Sequence, residues 1–544
     1  MAAAIAGVVA LLMATLAAGG AASAEPSQES TDLGPPDLTL TILHNNDGES
    51  ALLPLDRDGV EYGGIARFQS KVDELRDAAG DASFDEGEAE DRAALLLNSG
   101  DNFLAGTSFQ ASREEGAPFY DGLAVRRLDY DALAIGNHEF DFGPGVFEDF
   151  VDTVNNAPFV TANLDFRGDP ALFSDFARNK ISRSRMLVVE GRRVGIVGLT
   201  TPSLPTISSP GAVEVLTDLA GIAQGQIDNL KLRGANRIIL ISHLQGLDSE
   251  IELVSQLTDV DIVIGGGGDE ILADDGDPLF PGDEDDVVGS YPQVATDAEG
   301  VDVPVVTTPG NYRYVGALQV TFDAKGNLLG WDDADSGLNL VASDGPGAVE
   351  PDPWQEANIE APVAAFVEGL ANEFIGTSDV DLDCERVEVR GVESNCGNLI
   401  ADAHLATGQA QAAAFGLQAP QMAIMNGGGI RGEIDQLAGP ISVADTFRLQ
   451  PFANFVGVAE NVPAETVRQI IEEGAIRLPD PGDGGFVQLA GASVVIDPSF
   501  PARDADQSTG VQNAPGERVR ELVLDVGTVL VTGGVTLDVT VGIA

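Results

Sequence analysis

The chain has 544 residues, too many for a single core, so we expect at least two domains. Its 87 acidic residues against 29 basic ones give a formal net charge of −58, which disfavours nucleic-acid polymers and anionic membranes as partners. The hydrophobic content of 44% is ordinary for a globular protein, so the chain can bury sizeable cores. The acidic excess indicates a solvated surface suited to high salt or to solubility.

The N-terminus has the pattern of an export signal. Residues 2–22 are almost wholly small and apolar, and Ala22-Ser23-Ala24 precedes Glu25, which predicts a signal peptide over residues 1–24. No Lys or Arg follows Met1, so an N-terminal membrane anchor and a misplaced start site are the alternatives. We expect a periplasmic, cell-surface or extracellular protein with no membrane span after signal cleavage, because no later segment is long and apolar enough. The sequence does not indicate the oligomeric state.

A disordered polar leader is predicted over residues 25–36 and a first domain over residues 37–341. In this domain, continuous apolar segments typical of parallel strands alternate with helical periodicity. Its acidic inserts, residues 80–91 and 273–286, are predicted to be solvated loops, and residues 317–327 a closing hairpin. The predicted strands are residues 38–43, 94–97, 132–135, 194–197, 238–241 and 262–264, and the helices are residues 65–79, 146–155 and 216–232.

A linker and hinge helix are predicted over residues 342–375, because a stretch rich in Gly, Pro and Asp is followed by helical periodicity. A second domain follows over residues 376–544. The only cysteines, Cys384 and Cys396, form either a disulfide or two unpaired thiols. The predicted helices of this domain are residues 396–407 and 464–475, and its strands are residues 422–425, 455–459 and 492–496.

Four of the apolar strands in the first domain stop at polar clusters of one chemical character. Asp47, Asp101, Asn137 and His243 each lie just past the end of a different strand. Because ligands gather at the carboxyl ends of strands in open α/β sheets, we expect these side chains to converge on one rim. Few arrangements other than a metal site tolerate so many like charges together. A bridging carboxylate would neutralise two cations held about 3.5–4 Å apart.

The chain has only four histidines. His138 follows Asn137 directly and is predicted to face the substrate, where it would donate to the leaving-group oxygen or to charge developing on phosphorus. Asp141, three residues on, would hold the imidazole ring in position. His44 continues the first strand and His404 falls in a predicted helix, so both are interpreted as structural.

The segment Gly136-Asn137-His138-Glu139-Phe140-Asp141, with Asn98-Ser99-Gly100-Asp101 and Ser242-His243 in the same order, resembles the calcineurin-like metallophosphatase superfamily. The wider chain resembles its exported 5′-nucleotidase branch, which includes 2′,3′-cyclic nucleotide phosphodiesterases and UDP-sugar hydrolases. This resemblance implies an α/β fold: a four-layer α/β/β/α metallophosphatase domain followed by an α/β C-terminal domain. It also implies that Asp101 bridges two metals, that Asn137 and His243 bind the second, and that His138 and Asp141 assist the chemistry.

The metal blocks depart from the family pattern at three positions. The family's Asp-x-His is here Asp47-Gly48-Glu49, and its Gly-Gly-His-x-His/Gln is here Gly265-Gly266-Gly267-Gly268-Asp269. Carboxylates, Glu49 and Asp269, thus replace two ligands, and Gly267 replaces a third. Either the site is rebuilt for harder cations, with Asp47, Glu49, Asp101 and Asp269 around the first ion, or the phosphatase has degenerated. We favour the first interpretation and expect two divalent ions, Mn²⁺, Mg²⁺ or Ca²⁺ rather than Zn²⁺.

Five residues of the second domain are candidate substrate contacts. Asn426, Gly428 and Arg431 lie in Asn426-Gly427-Gly428-Gly429-Ile430-Arg431, which resembles the family's substrate loop, and Arg390 opens a segment that resembles the start of its C-terminal domain. Glycines allow close backbone approach and an arginine fork fits phosphate oxygens. Phe452 resembles the aromatic that stacks on the base. The alternatives are surface ion pairs for the arginines and a core position for Phe452.

The sequence stops at Ala544, before the family's second stacking aromatic and ribose-binding acid. Either the sequence is truncated or its grip on the nucleoside is weaker. The predicted function is metal-dependent hydrolysis of a small phosphorylated substrate, a 5′-nucleotide first of all, by a metal-activated water. The alternatives are a broad phosphomonoesterase or cyclic nucleotide phosphodiesterase, and a catalytically silent exported protein that binds nucleotides or metals.

Overall fold

The computed structural model describes residues 33–81, 91–268, 270–432, 436–452, 455–479, 484–505 and 512–544. The predicted signal peptide, most of the predicted leader, most of the insert over residues 80–91, and Asp269 lie outside these ranges. The prediction of disorder is wrong for the end of the leader, because Gly34 donates its backbone N–H to Asp323 and Pro36 already begins a strand. Among the described residues, no helix has both the length and the apolar character needed to cross a membrane.

The strands of the N-terminal part match the predicted apolar segments and extend beyond most of them. Every residue of 237–243 is buried, as expected for a strand with both faces packed. In chain order the strands are β1 Pro36–Asn45, β2 Leu55–Arg57, β3 Val60–Tyr62, β4 Arg92–Asn98, β5 Ala132–Ala134, β6 Phe159–Val160, β7 Leu164–Asp165, β8 Ile181–Ser182, β9 Ser184–Val189, β10 Arg192–Thr200, β11 Glu214–Val215, β12 Arg237–His243, β13 Ile262–Ile264, β14 Ile271–Leu272, β15 Val287–Gly289, β16 Gln293–Thr296, β17 Asp302–Val306, β18 Tyr314–Asp323, β19 Leu328–Trp331 and β20 Gly337–Leu340.

The helices of this part include the three predicted from periodicity. The helix 144–154 illustrates the sequence features that form these helices. Proline lies in its first turn, its apolar face is buried, and Asn155 ends it in the left-handed conformation with φ 54°. The α-helices are α1 Ile65–Asp81, α2 Thr107–Arg113, α3 Tyr120–Leu128, α4 Pro144–Val154, α5 Pro170–Ala177, α6 Leu204–Ile207, α7 Leu219–Leu232, α8 Leu247–Val254, α9 Pro353–Gln355 and α10 Ala361–Ala371. Short 3₁₀ helices form at His138–Phe140, Phe166–Gly168 and Asp283–Asp286, and a π-helical turn, Glu356–Glu360, joins α9 to α10.

Two sheets face each other in the N-terminal part. The larger has the strand order β19-β18-β1-β4-β5-β6-β8, with β20 also paired to β18, and the smaller has the order β16-β17-β13-β12-β10-β9. The strands β1, β4, β5, β6 and β8 are parallel, as are β10, β12, β13 and β17. The predicted hairpin is confirmed by the antiparallel pair β18 and β19.

The packing is the expected four-layer α/β/β/α arrangement. Side chains such as Ile42 and Leu97 from the larger sheet share a core with Ile241 from the smaller sheet, and α7 and α8 pack against the smaller sheet. A second core lies between the larger sheet and the helices α1, α3 and α4. The insert over residues 273–286 is not wholly a solvated loop, because Asp283 is buried and accepts hydrogen bonds from Tyr314 and Arg313.

The C-terminal part is also α/β and has cores of its own. Its strands are β21 Phe374–Ser378, β22 Ala423–Asn426, β23 Gly439–Ser442, β24 Ala459–Pro463, β25 Val487–Ala490, β26 Ala492–Ile496, β27 Asp504–Ala505, β28 Gln512–Ala514, β29 Val519–Leu524, β30 Val529–Thr532, β31 Val535–Thr536 and β32 Thr540–Ile543. Its helices are α11 Arg386–Val389, α12 Asn395–Gln411, α13 Val443–Leu449 and α14 Ala464–Gly474, with 3₁₀ turns at Ala412–Phe415 and Gly427–Gly429.

Two details of the C-terminal part answer open points of the sequence analysis. Cys384 and Cys396 form a disulfide, so the unpaired-thiol alternative is wrong. The strand predicted over residues 455–459 is also wrong, because residues 455–458 have no regular structure and β24 begins only at Ala459. The side chain of Phe455 is 99% exposed, so this apolar segment is not part of a core.

Candidate metal centre and substrate cleft

The loops that carry Asp47, Glu49 and Asp101 run side by side. They follow β1 and β4, which are parallel neighbours with Asn45 opposite Asn98. Past the strand ends, the N–H of Asp47 donates to the carbonyl of Gly100 at 3.0 Å, and that of Glu49 donates to the carbonyl of Asp101 at 3.0 Å. The parallel register therefore brings carboxylates from residues that are far apart in the sequence to one edge of the sheet.

These three acids share an uncommon backbone conformation. Asp47, Glu49 and Asp101 have φ angles of 50°, 47° and 54°, in the left-handed region that non-glycine residues rarely adopt. Such conformations persist where the surroundings over-determine them, and they cluster at functional sites.

The next strand supplies the neighbouring loop. Asn137 precedes the 3₁₀ turn His138–Phe140, and the N–H of His138 donates to Oδ1 of Asp101 at 2.8 Å. The ring Nδ1 of His138 lies 2.6 Å from Oδ2 of Asp141. Because a carboxylate accepts, Nδ1 carries the proton in this pair. The other nitrogen, Nε2, lies 3.9 Å from Glu49 and 3.9 Å from Asp101.

His243 arrives from the smaller sheet, as the last residue of β12. Its Nδ1 donates to the carbonyl of Ser99 at 2.7 Å, so Nε2 is the nitrogen left for a ligand. That Nε2 lies 2.9 Å from Oδ2 of Asp101 and 3.2 Å from Oδ1 of Asn137. The two sheets therefore meet at this rim.

Among the residues that the structure describes, two groups of side chains could hold a metal ion, and both contain Asp101. The first is Asp47, Asp101 and His243, all buried, and the second is Glu49, Asp101 and His138. Within each group one ligand atom per residue lies within 4.8 Å of the others. Asp47 therefore groups with His243, whereas the sequence analysis placed it with Glu49.

Burial and charge act in opposite directions on these groups. Burial, opposed by His243 and reinforced by Asp101 and Glu49, raises the pKa of Asp47 to about 8. Burial alone would also raise the pKa of Asp101, but the charges of His243 and His138 outweigh it and lower that pKa to about 2. Burial disfavours both imidazolium ions, yet Asp101 and the other nearby acids raise the pKa of His138 and of His243 to about 10.

The donor set fits divalent cations. Three carboxylates lie close together, and burial, together with the charges of Asp101 and Glu49, raises the pKa of Asp47 against the opposing charge of His243. A divalent cation would take over that counter-charge and use the neutral Nε2 as a ligand. Oxygen and nitrogen atoms of Asp47, Asp101, Asn137 and His243 are within reach of one another for this purpose.

The block that departs most from the family pattern also lies at this rim. The backbone N–H of Gly267 donates to Oδ2 of Asp47 at 2.9 Å, so the loop after β13 contacts the candidate centre through its main chain. Asp269, the predicted ligand of the first ion, lies outside the described residues, so its assignment stays a prediction.

Glu139 holds the loops together, a role that is not among those predicted from the sequence. Its buried carboxylate accepts hydrogen bonds from the N–H groups of Asp101, Asn102 and Gly136 at 2.8–3.0 Å, and from the amide of Asn102 at 3.1 Å. Burial, together with the charge of Asp101, raises the pKa of Glu139 to about 7. The sequence carries no signal for this role, because it does not show which backbone N–H groups of the neighbouring loops lack other partners.

The predicted substrate residues of the C-terminal part form two adjoining sets. The backbone N–H of Gly428 and the side-chain amide of Asn426 both donate to the carbonyl of Gly484. Arg390 lies beside Gly427, because a Cβ added to Gly427 would lie 3.2 Å from the Cα of Arg390. The guanidinium of Arg431 lies over the ring of Phe452, 5.2 Å from its centroid.

Phe452 connects the two parts of the molecule. Its ring lies nearly parallel to that of His138, with centroids 6.3 Å apart and 18° between the planes. A cavity of about 370 Å³ opens beside it and is lined by Phe452, Phe455, His404, Met425, Gly429 and Gln450 among others. His44, interpreted from the sequence as structural, is buried, and its Nε2 lies 2.7 Å from the hydroxyl of Tyr291.

Known proteins resemble this chain over most of its length. The family model described as "5'-nucleotidase, C-terminal domain" matches residues 374–538. The snake venom 5′-nucleotidase of Naja atra is 30% identical over 471 residues, which cover 84% of this chain and 82% of that protein. The chain belongs to the 5′-nucleotidase family. The 5′-nucleotidase of Bos taurus is 29% identical over 501 residues, with 89% and 77% covered.

The fold is shared as well. The crystal structure of the 5′-nucleotidase precursor of Thermus thermophilus matches with a TM-score of 0.71 and 32% identity, covering 93% of this chain and 89% of that one. The recognised family and the predicted fold class, with an N-terminal phosphoesterase domain and a C-terminal 5′-nucleotidase domain, are therefore confirmed. The prediction that the chain is a hydrolase of phosphoric esters is confirmed with them.

Proposed function

We propose that the chain hydrolyses the phosphate ester of nucleotides at a two-cation centre, 5′-nucleotides first of all. The observation that carries this proposal is the position of Asp101, whose carboxylate belongs to both groups of candidate ligands. The named activities of the relatives, 5′-nucleotidases in each of the three proteins above, support the substrate class.

The residues have distinct roles in this proposal. Asp47, Asn137 and His243 hold one cation together with Asp101, and Glu49, Asp101 and Asp269 hold the other. The cations, when bound, lower the pKa of a water molecule so that it can attack phosphorus, and they neutralise negative charge in the transition state. No side-chain nucleophile is needed for this reaction.

His138 acts as the proton donor to the leaving oxygen. In the metal-free protein, Asp101 and Asp141 raise the pKa of His138 against the effect of burial, and Asp141, which holds no cation in this proposal, favours the protonated ring. Asp141 holds Nδ1, so Nε2 is presented to the cleft between Glu49 and Asp101. A protonated imidazole there can donate to the ester oxygen or to charge developing on phosphorus.

The C-terminal part supplies the substrate contacts. Arg390 and Arg431 are candidates for the phosphate oxygens, and Asn426 and Gly428 shape the loop that approaches the nucleotide. We assign Phe452 to stacking on the base, and the cavity that Phe452 lines would hold the nucleoside. Rotation of one part against the other would change the distance between the cations and these contacts.

The oxygen-rich donor set selects the cations. Glu49 and Asp269 stand where the family pattern has an imidazole or an amide, and carboxylates suit Mn²⁺, Mg²⁺ or Ca²⁺ better than Zn²⁺. Elemental analysis of the purified protein is expected to find these ions. Two tightly held zinc ions per chain would refute the preference.

The domain boundaries, the location and the size of the substrate are proposed from the sequence. We propose domains over residues 37–341 and 376–544, joined by the linker and hinge helix over residues 342–375. The proposed signal peptide, residues 1–24, places the enzyme outside the cytoplasm, in the periplasm, on the cell surface or in the medium. The net charge of −58 argues for small phosphorylated substrates rather than nucleic-acid polymers.

One experiment separates the candidate functions. Phosphate release is measured from AMP, an aryl phosphate and a 2′,3′-cyclic nucleotide, each with Mn²⁺, Mg²⁺, Ca²⁺ and Zn²⁺, for the wild type and His138→Ala. Turnover of AMP above the other substrates, lost in the variant, supports a 5′-nucleotidase. Similar turnover of all three supports a broad phosphoesterase. Nucleotide binding without turnover under every metal would overturn the proposal in favour of a catalytically silent protein.

A further inference from the structure

The space above Gly267 is filled by a side chain from another loop. Gly267 has a φ of 88°, and a Cβ added to it would lie 2.6 Å from Nε2 of Gln245 and 2.7 Å from Nε2 of His243. The amide of Gln245 therefore stands at the position that a side chain of residue 267 would need in order to reach His243. Gln245 comes two residues after His243, in the turn between β12 and α8.

The Gln245 amide is already directed at candidate ligands. Its Nε2 donates to Oδ1 of Asn137, and the same oxygen lies 3.2 Å from Nε2 of His243. That Nε2 in turn lies 2.9 Å from Oδ2 of Asp101. Four side chains from three loops thus converge, and Gln245, two residues after His243, is the one that the sequence does not single out.

The backbone places this exposed side chain with its amide facing inward. Gln245 has a φ of 74°, a left-handed conformation that is uncommon for a residue with a long side chain. Its N–H is directed at the carbonyl of Gly266 at 3.4 Å, which ties the turn to the loop of Gly267. The turn therefore brings the amide back over the rim, although the residue itself is exposed.

A cation would reverse the orientation of this amide. The oxygen of Asn137 now receives the N–H of Gln245, but a cation held by that oxygen would repel the N–H. A half-turn about the last side-chain torsion exchanges the amide nitrogen and oxygen, so that Oε1 faces the cation instead. An amide oxygen is a hard, neutral ligand that Mn²⁺, Mg²⁺ and Ca²⁺ accept.

We propose that Gln245 supplies, through Oε1, a ligand to the cation held by Asp101, Asn137 and His243, in place of the side chain that Gly267 lacks. This inference rests on the proposed function in one respect, since it requires that the centre binds divalent cations. The amide oxygen of Gln245 would join the oxygens of Asp47, Asp101 and Asn137 and the imidazole of His243 around this cation.

The test measures metal binding rather than turnover. The full chain is stripped of metal and titrated with Mn²⁺, and free Mn²⁺ is followed by electron paramagnetic resonance. For the wild type two bound ions are expected. In Gln245→Ala one ion is expected to bind at least about tenfold more weakly, within the range for lost ligand support at metal sites, and the other is expected to bind unchanged. Gln245→Glu, which keeps an oxygen at this position, is expected to retain both ions.

Controls separate a ligand from a merely structural role. Gln256→Ala is the matched control, because Gln256 donates to the backbone carbonyl of Glu252 on α8, away from the candidate ligands. Thermal unfolding of the metal-free Gln245→Ala protein is expected to match that of the wild type. Two unchanged Mn²⁺ affinities in Gln245→Ala would overturn the inference while leaving the proposed function intact. A wild type that binds no divalent cation would overturn both.

Discussion

The backbone N–H of His138 donates to Oδ1 of Asp101 at 2.8 Å. The residue proposed to bridge the cations and the residue proposed to protonate the leaving group are thus fixed to each other by the main chain. The imidazole ring of His138 is held in turn by Asp141 at Nδ1, so both the main chain and the side chain of His138 have defined partners. Such preorganisation is what a reaction without a covalent intermediate requires of its protein.

His138→Ala is expected to lower kcat about 10²- to 10⁴-fold with a smaller change in KM, because a general acid acts mainly in the transition state. Steady-state rates of phosphate release from AMP at saturating metal measure this effect. Asp149→Asn, at an exposed position of α4, is the control and should behave as the wild type. A kcat for His138→Ala within about threefold of the wild type would contradict the assigned role.

Asp141→Asn is expected to move the pH profile. The charge of Asp141 is one of the interactions that raise the pKa of His138, so its removal lowers that pKa. The ring then loses its proton at a lower pH, and the alkaline limb of the kcat profile should shift towards acid. An unchanged alkaline limb would show that the proton of His138 is not the one used.

Glu139→Gln is expected to destabilise the protein and weaken metal binding together. The carboxylate accepts hydrogen bonds from three backbone N–H groups, and an amide NH₂ in its place would face some of these donors. Loss of buried hydrogen bonds to a charged acceptor costs about 1.5–3 kcal/mol each at most. Urea unfolding and Mn²⁺ titration measure the two effects, and Glu252→Gln, exposed on α8, is the control. Normal stability with lost metal binding would instead make Glu139 a direct ligand.

Asp121 is expected to make stability depend on pH. Burial, opposed by the hydroxyls of Ser50 and Ser112, raises the pKa of Asp121 from 3.8 to about 6. Between these pH values the folded state holds more protons than the unfolded state, so the free energy of unfolding falls as pH rises through this window. Asp121→Asn lacks this loss, so its free energy of unfolding is expected to rise relative to that of the wild type, by about 3 kcal/mol between acid pH and pH 7.

Urea unfolding at pH 4.5, 5.5, 6.5 and 7.5 measures the dependence on Asp121. The difference between variant and wild type should grow up to about pH 6.5 and then level off. Asp402→Asn, at an exposed position of α12, should run parallel to the wild type. A constant difference for Asp121→Asn at all four pH values would contradict the raised pKa.

Phe452→Ala is expected to raise KM for AMP about tenfold and to leave KM for glycerol phosphate nearly unchanged, because only AMP has a base to stack. Arg431→Ala is expected to raise KM for both substrates, since its guanidinium is proposed to contact the phosphate. Both KM values are measured from initial rates at fixed Mn²⁺. Equal losses for both substrates in Phe452→Ala would show that the ring supports the arginine rather than the base.

Much of the N-terminal part could be predicted because buried parallel strands are continuous apolar segments. The segment 262–264 matches β13 residue for residue, and the polar clusters after β1, β4, β5 and β12 do meet at one rim. Residues 455–458 show that apolar composition alone does not predict a strand, because these residues have no regular structure and Phe455 is exposed.

The contributions of Glu139 and Gln245 could not be predicted, for different physical reasons. Glu139 acts by accepting backbone N–H groups from loops far apart in the sequence, and a sequence does not show which donors lie unpaired. Gln245 reaches the centre because its backbone adopts a left-handed turn and because Gly267 leaves space. Neither condition appears in the pattern of residue types.

The central claim is that Asp101 lies between two cations. Anomalous diffraction from crystals soaked in Mn²⁺, with data collected at the manganese edge, tests it directly. The account predicts two peaks about 3.5–4 Å apart, one on each side of the Asp101 carboxylate, with His243 beside one of them. A single peak, or peaks that do not touch Asp101, would contradict it.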